Sequence, residues 1–377
     1  MMVRRLGFVL LLTAGTVPTL AAQTSVYGVR GLGFPGRPLT ARTRALGGGL
    51  GAFDPASPIN PAAIAGVTQV TAVAVAASDF RGHEIGGVAV GGLNATRFPL
   101  IGIAGRWQRH RIGYALSVAQ YADRSFDITI ADTVSLRGTD VAVVDRTISA
   151  GGVSDIRGVL AWAPSGRLRF GVAAHAISGS AKLTLSRQFA DSAYRSFQRV
   201  NEEGVTGLGV SAGVVWAPVS GFQLGLAGRY DTEADIVIDS AAAGTVDLPA
   251  GVVAGMLLAP HPSLRWATTF IWRSWSDADA DLTGRAFDTW ELGSGIELGG
   301  AESGGSRVPL RLGVRYARLP FAPGDEQAHE LDLAVGTGVA FAGRRGLLDF
   351  ALERAFRDGA GASERAWQVA VSLTVRP

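Results

Sequence analysis

Ser211 lies in Gly209-Val210-Ser211-Ala212-Gly213, the G-x-S-x-G spacing that can present a serine as a nucleophile on a strained strand-to-helix turn. Such chemistry needs a histidine to take the serine proton and a carboxylate to orient the imidazole. The surrounding run V-T-G-L-G-V-S-A-G-V-V-W alternates like a strand, so Ser211 reads as a small residue packed in a sheet. No histidine is near it in sequence, and hydrolysis would require the fold to bring one alongside. Gly47-Gly48-Gly49-Leu50-Gly51-Ala52 fits the G-x-G-x-x-A spacing of a dinucleotide site, but Asp54-Pro55 follows at once where a helix is needed, so it reads as a turn. The five histidines, His83, His110, His175, His261 and His329, form no ligand pair at helical spacing, and cysteine is absent. The expectation is no metal and no cofactor.

The charged residues with the clearest pattern are arginines on alternating positions. Val308, Leu310, Leu312, Val314 and Tyr316 interleave with Arg311, Gly313 and Arg315. Leu264, Trp266, Phe270 and Trp272 interleave with Arg265 and Arg273; Leu224, Leu226 and Tyr230 interleave with Arg229 and Asp231. From Trp367 the chain reads W-Q-V-A-V-S-L-T-V-R, with Val369, Val371 and Leu373 on one face and Gln368 and Ser372 on the other. A strand has a side-chain period of two, so one face is greasy and the other wet.

Composition narrows the class. The chain has 377 residues, 51 glycines and a net charge of +3. Lys182 is the single lysine, so the high pI reflects arginine use and gives no basic patch for nucleic acid. Arg4 and Arg5 precede an apolar run, Leu6 to Leu12, then Pro18, Ala21 and Ala22, the order of a secretory leader over 1–22. No later segment is apolar for about 18 residues, so no hydrophobic helix crosses a membrane. An exported, apolar, alternating chain without such a helix fits a transmembrane antiparallel β-barrel. A soluble sandwich or propeller also alternates, but its outer face should carry more lysine, glutamate and threonine.

About 14 strands are expected over 67–377, with cores near 67–79, 96–108, 111–130, 149–163, 167–185, 203–217, 221–238, 246–259, 264–282, 286–298, 307–319, 328–342, 346–358 and 364–376. Aromatic-Pro turns recur at Trp162-Ala163-Pro164 and Trp216-Ala217-Pro218, with a related Leu258-Ala259-Pro260, each before a new strand; these short turns should be periplasmic. The polar stretches 131–148 and 186–202 should be extracellular connections. A charge facing mid-bilayer lipid costs about 2–4 kcal/mol. Arg229, Arg265, Arg273, Arg311, Arg315, Asp349 and Glu353 are therefore expected in the lumen, holding whatever fills it or contacting a ligand. Leu312→Arg should damage assembly more than Gly313→Arg, provided Gly313 touches nothing inside.

The Gly/Pro-rich stretch over 23–66 has little strand grammar, although Pro61 can open a short helix. Its Arg44-Ala45-Leu46-Gly47-Gly48-Gly49, then Ala52-Phe53-Asp54, then Asn60-Pro61-Ala62, resembles the opening of the FadL-like outer-membrane transport proteins. PorV-like proteins, relatives of the type IX secretion shuttle, share it. The resemblance implies a 14-stranded barrel plugged by its N-terminal segment, with Gly47, Gly48, Gly49, Asp54, Asn60, Pro61 and Ala62 as the plug motif. It departs from the pattern at G-G-G-L-G, where an alanine usually follows G-G. The end, Val375-Arg376-Pro377, also departs from the aromatic terminus many outer-membrane barrels carry.

The resemblance implies passive outer-membrane transport of a hydrophobic or amphipathic small molecule, without covalent chemistry. The alternative is a PorV-like barrel that binds a partner in secretion or surface attachment. The expected partners are outer-membrane lipid, a hydrophobic ligand and the barrel-assembly machinery, around a monomer. In the third strand, Ile112, Tyr114, Leu116 and Val118 give way on the same face to Gln120, Ala122 and Arg124. Such a polar break signals a bulge or kink. The resembled family has a wall opening there, which makes these three residues candidates for a lateral gap.

Overall fold

The computed structural model describes residues 25–377 apart from 86–87, 281, 283–284, 300–307 and 323. The leader expected over 1–22 lies outside the described residues. Fourteen antiparallel strands close into a barrel. They are β1 (Thr71–Ile85), β2 (Val88–Trp107), β3 (Ile112–Asp123), β4 (Thr139–Trp162), β5 (Leu168–Phe189), β6 (Phe197–Val219), β7 (Phe222–Asp231), β8 (Gly251–His261), β9 (Leu264–Arg273), β10 (Thr289–Leu298), β11 (Leu310–Arg318), β12 (His329–Phe341), β13 (Gly346–Gly359) and β14 (Ala362–Val375). β14 closes on β1 from Val375↔Ala72 to Ala362↔Ile85. Closure pairs strand to strand around the whole sheet, as a bilayer interior demands, with one interruption between β2 and β3.

The faces follow the alternation. Leu312 on β11 is 51% exposed while Arg311 beside it is 4% exposed. Val369 and Leu373 are likewise outward, and Gln368 and Ser372 are buried. The outward face carries Ile101, Ile103, Leu116, Leu160, Leu208 and many more large apolar side chains. A contiguous apolar belt of this kind belongs in lipid, so the chain is a membrane-spanning barrel.

Two expectations about connections change. The stretches 131–148 and 186–202 are largely strand: Phe126–Leu136 continues β3 beyond a break and pairs with β4, and β5 pairs with β6 up to Arg187↔Phe197. Polar residues interrupt the alternation in these extensions, as at Asp132-Thr133, and only a short stretch keeps it, with Val141 and Val143 buried between exposed Ala142 and Val144. The expected strand over 264–282 ends at Arg273 and yields to a 3₁₀ turn, Trp275–Ala280. There Trp275 joins an interior cluster with Leu32, Val153, Ile177, Val205 and Phe321.

The N-terminal segment packs against inward-facing wall residues. Thr40 caps a short helix, α1 (Ala41–Ala45), accepting a hydrogen bond from the Thr43 N–H, and the chain then turns through Gly47 and Gly48 at φ +63° and +86°. Asn60 caps the 3₁₀ turn Pro61–Gly66, its Oδ1 accepting from the Ala62 N–H at 3.0 Å. The wall is bare where this backbone passes: a Cβ on Gly313 would lie 2.1 Å from the Gly47 nitrogen, and one on Gly293 2.2 Å from the Gly47 oxygen. The proviso attached to Gly313→Arg therefore fails, and that change is disruptive for a second reason.

Candidate functional site: a lumenal chamber beside an unzipped strand

β3 is where the wall departs from regularity. Its pairing with β2 runs from Trp107↔Ile112 to Leu100↔Ala119 and stops. The next residue of β2 is Pro99, which has no N–H to donate to a ladder. On the other edge, pairing with β4 steps from Gln120↔Ser154 to Ala122↔Val153, a bulge that leaves Tyr121 unmatched. Beyond the stop, the N-terminal segment takes β2's place. Phe34 pairs with Asp123, Pro35 with Ala122, and the Gly36 N–H donates to the Tyr121 carbonyl at 2.8 Å. Gly33 and Gly36 permit this approach, since a Cβ on either would lie 2.4 Å from the Asp123 oxygen or 2.0 Å from the Gln120 oxygen.

A chamber of about 130 Å³ opens beside this strap. Phe34, Tyr121, Trp275 and Trp290 supply its aromatic walls, and Gln120, Arg37, Arg229, Arg273 and Glu291 its polar ones. Trp275 packs edge-on to Phe321 at 5.2 Å between ring centroids, and the Arg229 guanidinium lies 5.5 Å over the Tyr121 ring. A second chamber of about 780 Å³ lies toward the short-turn end, lined by Gly221, Ala259 and Leu347 with Arg42, Arg157 and Arg169. Residues 34–39 and 58–59 face the first chamber and residues 53–56 and 66–69 the second, so the N-terminal segment lies between them.

The charges predicted to be luminal are all on wall strands, and most are paired. Arg311 bonds Glu297 and Asp349 at 2.8 Å each. Arg315 bonds Glu291 at 2.7 Å and Asp332 at 2.8 Å, and also Glu330. Arg265 reaches Glu297 at 3.4 Å. Glu353 receives Arg44 at 2.7 Å and Arg37 at 3.3 Å, both from the N-terminal segment, and Arg42 holds Glu297 through two bonds of 2.9 and 2.8 Å. Burial alone would weaken the Arg44 charge, but Glu353 outweighs it and raises the Arg44 pKa. Arg229 bonds Asp155 at 2.6 Å and Asp231 at 2.8 Å, while Arg273 lines the chamber.

Among the turn residues, Asp54 accepts from the Thr40 and Thr43 hydroxyls at 2.7 and 2.6 Å, tying the turn to the start of α1. Gly49 lies against Ala267, and Pro61 and Ala62 lie on Gly171. At the break, Gln120 lines the chamber and Ala122 is buried under Pro35. Arg124 does not continue the lipid face: the bulge reverses the phase, and its guanidinium grips Glu203 at 2.6 and 2.8 Å.

Sequence reasoning did not find the partners of Ser211. His175 on β5 places Nε2 2.9 Å from the Ser211 hydroxyl, and its Nδ1 meets Asp155 at 2.9 Å. This is the order of a hydrolytic triad, drawn from three adjacent strands and buried inside the wall. The serine lacks the rest of the machinery. It lies mid-strand with both edges laddered, from Gly209↔Asp231 on one side and His175↔Gly209 on the other, so no backbone N–H is free to hold an oxyanion. Asp155 is also shared with Arg229. The relay reads as a buried polar network with satisfied partners. Among the described residues, no cluster of three His, Asp or Glu side chains could hold a metal.

Fold and lumen together define a fourteen-stranded transmembrane barrel with its N-terminal segment folded against the inner wall. The same architecture is found in a FadL homologue of Pseudomonas aeruginosa, which matches over 91% of this chain and 100% of its own at TM-score 0.63 and 14% identity. The monoaromatic hydrocarbon channel CymD matches 92% of this chain and 98% of its own at TM-score 0.56 and 17% identity. The toluene transporter TodX of Pseudomonas putida matches 90% and 98% at TM-score 0.59 and 12% identity. At these identities the likeness is one of fold. No protein-family model matches the sequence, and no curated protein does.

Proposed function

We propose that this chain is a passive outer-membrane channel for a hydrophobic or amphipathic small molecule. The ligand enters the chamber beside Trp275, is stopped by residues 25–66 acting as a plug, and leaves sideways into the bilayer between β2 and β3. The observation that carries the reading is the unzipped β3 edge, bridged by the strap around Phe34–Pro35 and by an ion pair from Arg97 to Asp123, and bordered by the chamber-lining Gln120. The structural likeness to a toluene transporter and a monoaromatic channel supports a greasy cargo. The plug motif Gly47, Gly48, Gly49, Asp54, Asn60, Pro61 and Ala62 shapes the segment that fills the lumen, and the paired luminal charges fasten it there. Export depends on cleavage of the leader, and insertion on the barrel-assembly machinery; the barrel works as a monomer.

The test is a cross-link between Pro35→Cys and Ala122→Cys, which face each other across the strap. In cells with a lipopolysaccharide outer membrane, oxidation should stop uptake of a labelled aromatic probe and reduction should restore it. Equal uptake in both states removes the lateral route. One observation favours the second reading, a partner-binding barrel: the ordered hairpins of β4, β5 and β6 beyond the membrane belt. Shortening 128–147 would then abolish partner capture and leave uptake intact.

A further inference from the structure

The short-turn end of the barrel carries its charge on one side. Among the described turn residues there, Arg109, Arg111, Arg167, Arg344 and Arg345 are exposed, and no aspartate or glutamate accompanies them. None of the five forms an ion pair with a described residue. Strand order makes them neighbours. Arg344 and Arg345 belong to the β12–β13 turn, Arg109 and Arg111 to the β2–β3 turn, and Arg167 to the β4–β5 turn, with the β14–β1 seam between the first two turns. The Arg376 N–H after β14 donates to the Arg345 carbonyl at 2.7 Å, and Arg111 Nη1 donates to the Pro164 carbonyl of the next turn at 3.1 Å. The opposite arc is bare. Ser220-Gly221 and Pro262-Ser263 carry no charge, and the sequence from 299 to 309 holds Glu302 and Arg307, which cancel.

The arc sits at headgroup depth. Each arginine follows a lipid-facing aromatic within five residues: Trp107 before Arg109 and Arg111, Trp162 before Arg167, and Phe341 before Arg344 and Arg345. Exposed aromatics settle at the boundary between acyl chains and headgroups, so the phosphate layer lies just beyond them. Trp216 marks the same boundary on the opposite arc, with no arginine before the next strand begins at Phe222. The aromatic boundary is thus shared by both arcs, and the charge is not. The far end of the barrel has the other sign, as at Glu233, Asp235, Asp277, Asp279, Asp325 and Glu326 in the longer connections. One exposed arginine is worth little, but several on one arc sum into a local field.

We infer that the short-turn rim from β12 to β5 binds the headgroups of anionic phospholipid. This is a lipid site on the outside of the wall, separate from both chambers; it rests on the membrane assignment and not on the lateral route. A guanidinium fits a phosphate through two parallel hydrogen bonds. Phosphatidylglycerol brings that phosphate with a net negative charge. Phosphatidylcholine brings the same phosphate and cancels it with an ammonium group, so the summed field of the arc separates the two. The site underlies both the β14–β1 seam and the interrupted β2–β3 line.

The experiment places the full barrel in nanodiscs of equal phosphatidylglycerol and phosphatidylcholine and counts the lipids it retains by native mass spectrometry. Phosphatidylglycerol should be enriched at least about fivefold, the ratio that the attraction of a single arginine to an anionic surface gives. The enrichment should shrink as ammonium acetate is raised, because exposed charges are screened. Arg109→Gln, Arg111→Gln, Arg167→Gln, Arg344→Gln and Arg345→Gln combined should bring the ratio close to one. Heat-modifiable gel migration checks that this variant is folded, and the salt dependence of the wild type stands without it. Equal retention of the two lipids by the wild type overturns the inference. So does an enrichment that survives raised salt or the combined substitution. If the wild type shows no lipid preference yet binds labelled poly-glutamate in detergent, and the combined variant does not, the arc fits an acidic protein and the inference falls.

Discussion

Between β13, β14 and β1 the wall is an unbroken ladder, whereas between β2 and β3 it comes apart half-way. The first region pairs from Gly346↔Val375 to Gly359↔Ala362 and from Val375↔Ala72 to Ala362↔Ile85. The second stops at Leu100↔Ala119, and its outer part is made good by a strap of the N-terminal segment. Both regions lie in one closed sheet and both obey a two-residue alternation. The difference arises from Pro99, the extra residue Tyr121 and the glycines at 33 and 36, a handful of positions that withhold a donor or admit a second backbone. In this fold, continuity is the default and a discontinuity has to be built.

The comparison can be broken most forcefully on its fastened side. Glu353 on β13 is buried and receives Arg44 and Arg37, so Glu353→Gln leaves buried guanidinium groups short of a counter-charge. Removing one partner of a buried pair costs about 3–5 kcal/mol. The N-terminal segment should become protease-sensitive; an unchanged digestion pattern would show that these pairs do not anchor it. Next, Leu312→Arg puts a charge in lipid at about 2–4 kcal/mol and should lower barrel stability in a denaturant titration. Folding as robust as wild type would reject the membrane-facing assignment of β11.

On the unzipped side, Gly36→Val forces a side chain into the Gln120 carbonyl and should dislodge the strap, an overpacking cost of about 1–3 kcal/mol. Conductance in planar bilayers should rise, and an equally quiet channel would mean that the strap seals nothing. A smaller effect concerns Tyr27, whose hydroxyl donates to the Ala362 carbonyl at 2.6 Å. Burial, reinforced by Glu364 and Asp358, raises its pKa above the ordinary 10.0. Its contribution to docking is therefore complete below pH 10 and fades at more alkaline pH. Amide exchange around residues 26–28 should speed up there in the wild type and not further in Tyr27→Phe. The smallest expectation is none at all: a fluorophosphonate should not label Ser211, and stoichiometric labelling would make the His175 relay catalytic.

How much of this could be read from residues alone divides along the same line. The number of strands and the facing of Leu312 against Arg311 were legible because a pleated strand repeats every two residues in its own sequence. The pairing of Asp155, His175 and Ser211 was not, since three strands must register before those side chains meet. Tyr121 and Trp275 were hidden for a related reason: one is re-aimed by a bulge, and the other follows a strand that ends sooner than its pattern. The break at Gln120 did announce itself, through polarity on an apolar face, but the segment that fills it comes from nearly ninety positions earlier, around Phe34. The extended hairpins went unread because polar residues break their alternation, leaving only short apolar runs such as Val141 and Val143.

The strap also has a consequence for how the cylinder is made and how it moves. The chain ends meet at β1 and β14, where the sheet must be sewn shut when the polypeptide inserts. The weak line lies elsewhere, between β2 and β3, held over its outer part by the strap's two residue pairs, one further backbone bond and the Arg97–Asp123 ion pair. The seam that assembly must close and the line where the ladder is interrupted are thus different lines in the same sheet. Strain taken up at the interrupted line leaves intact the ladder that keeps the cylinder a barrel.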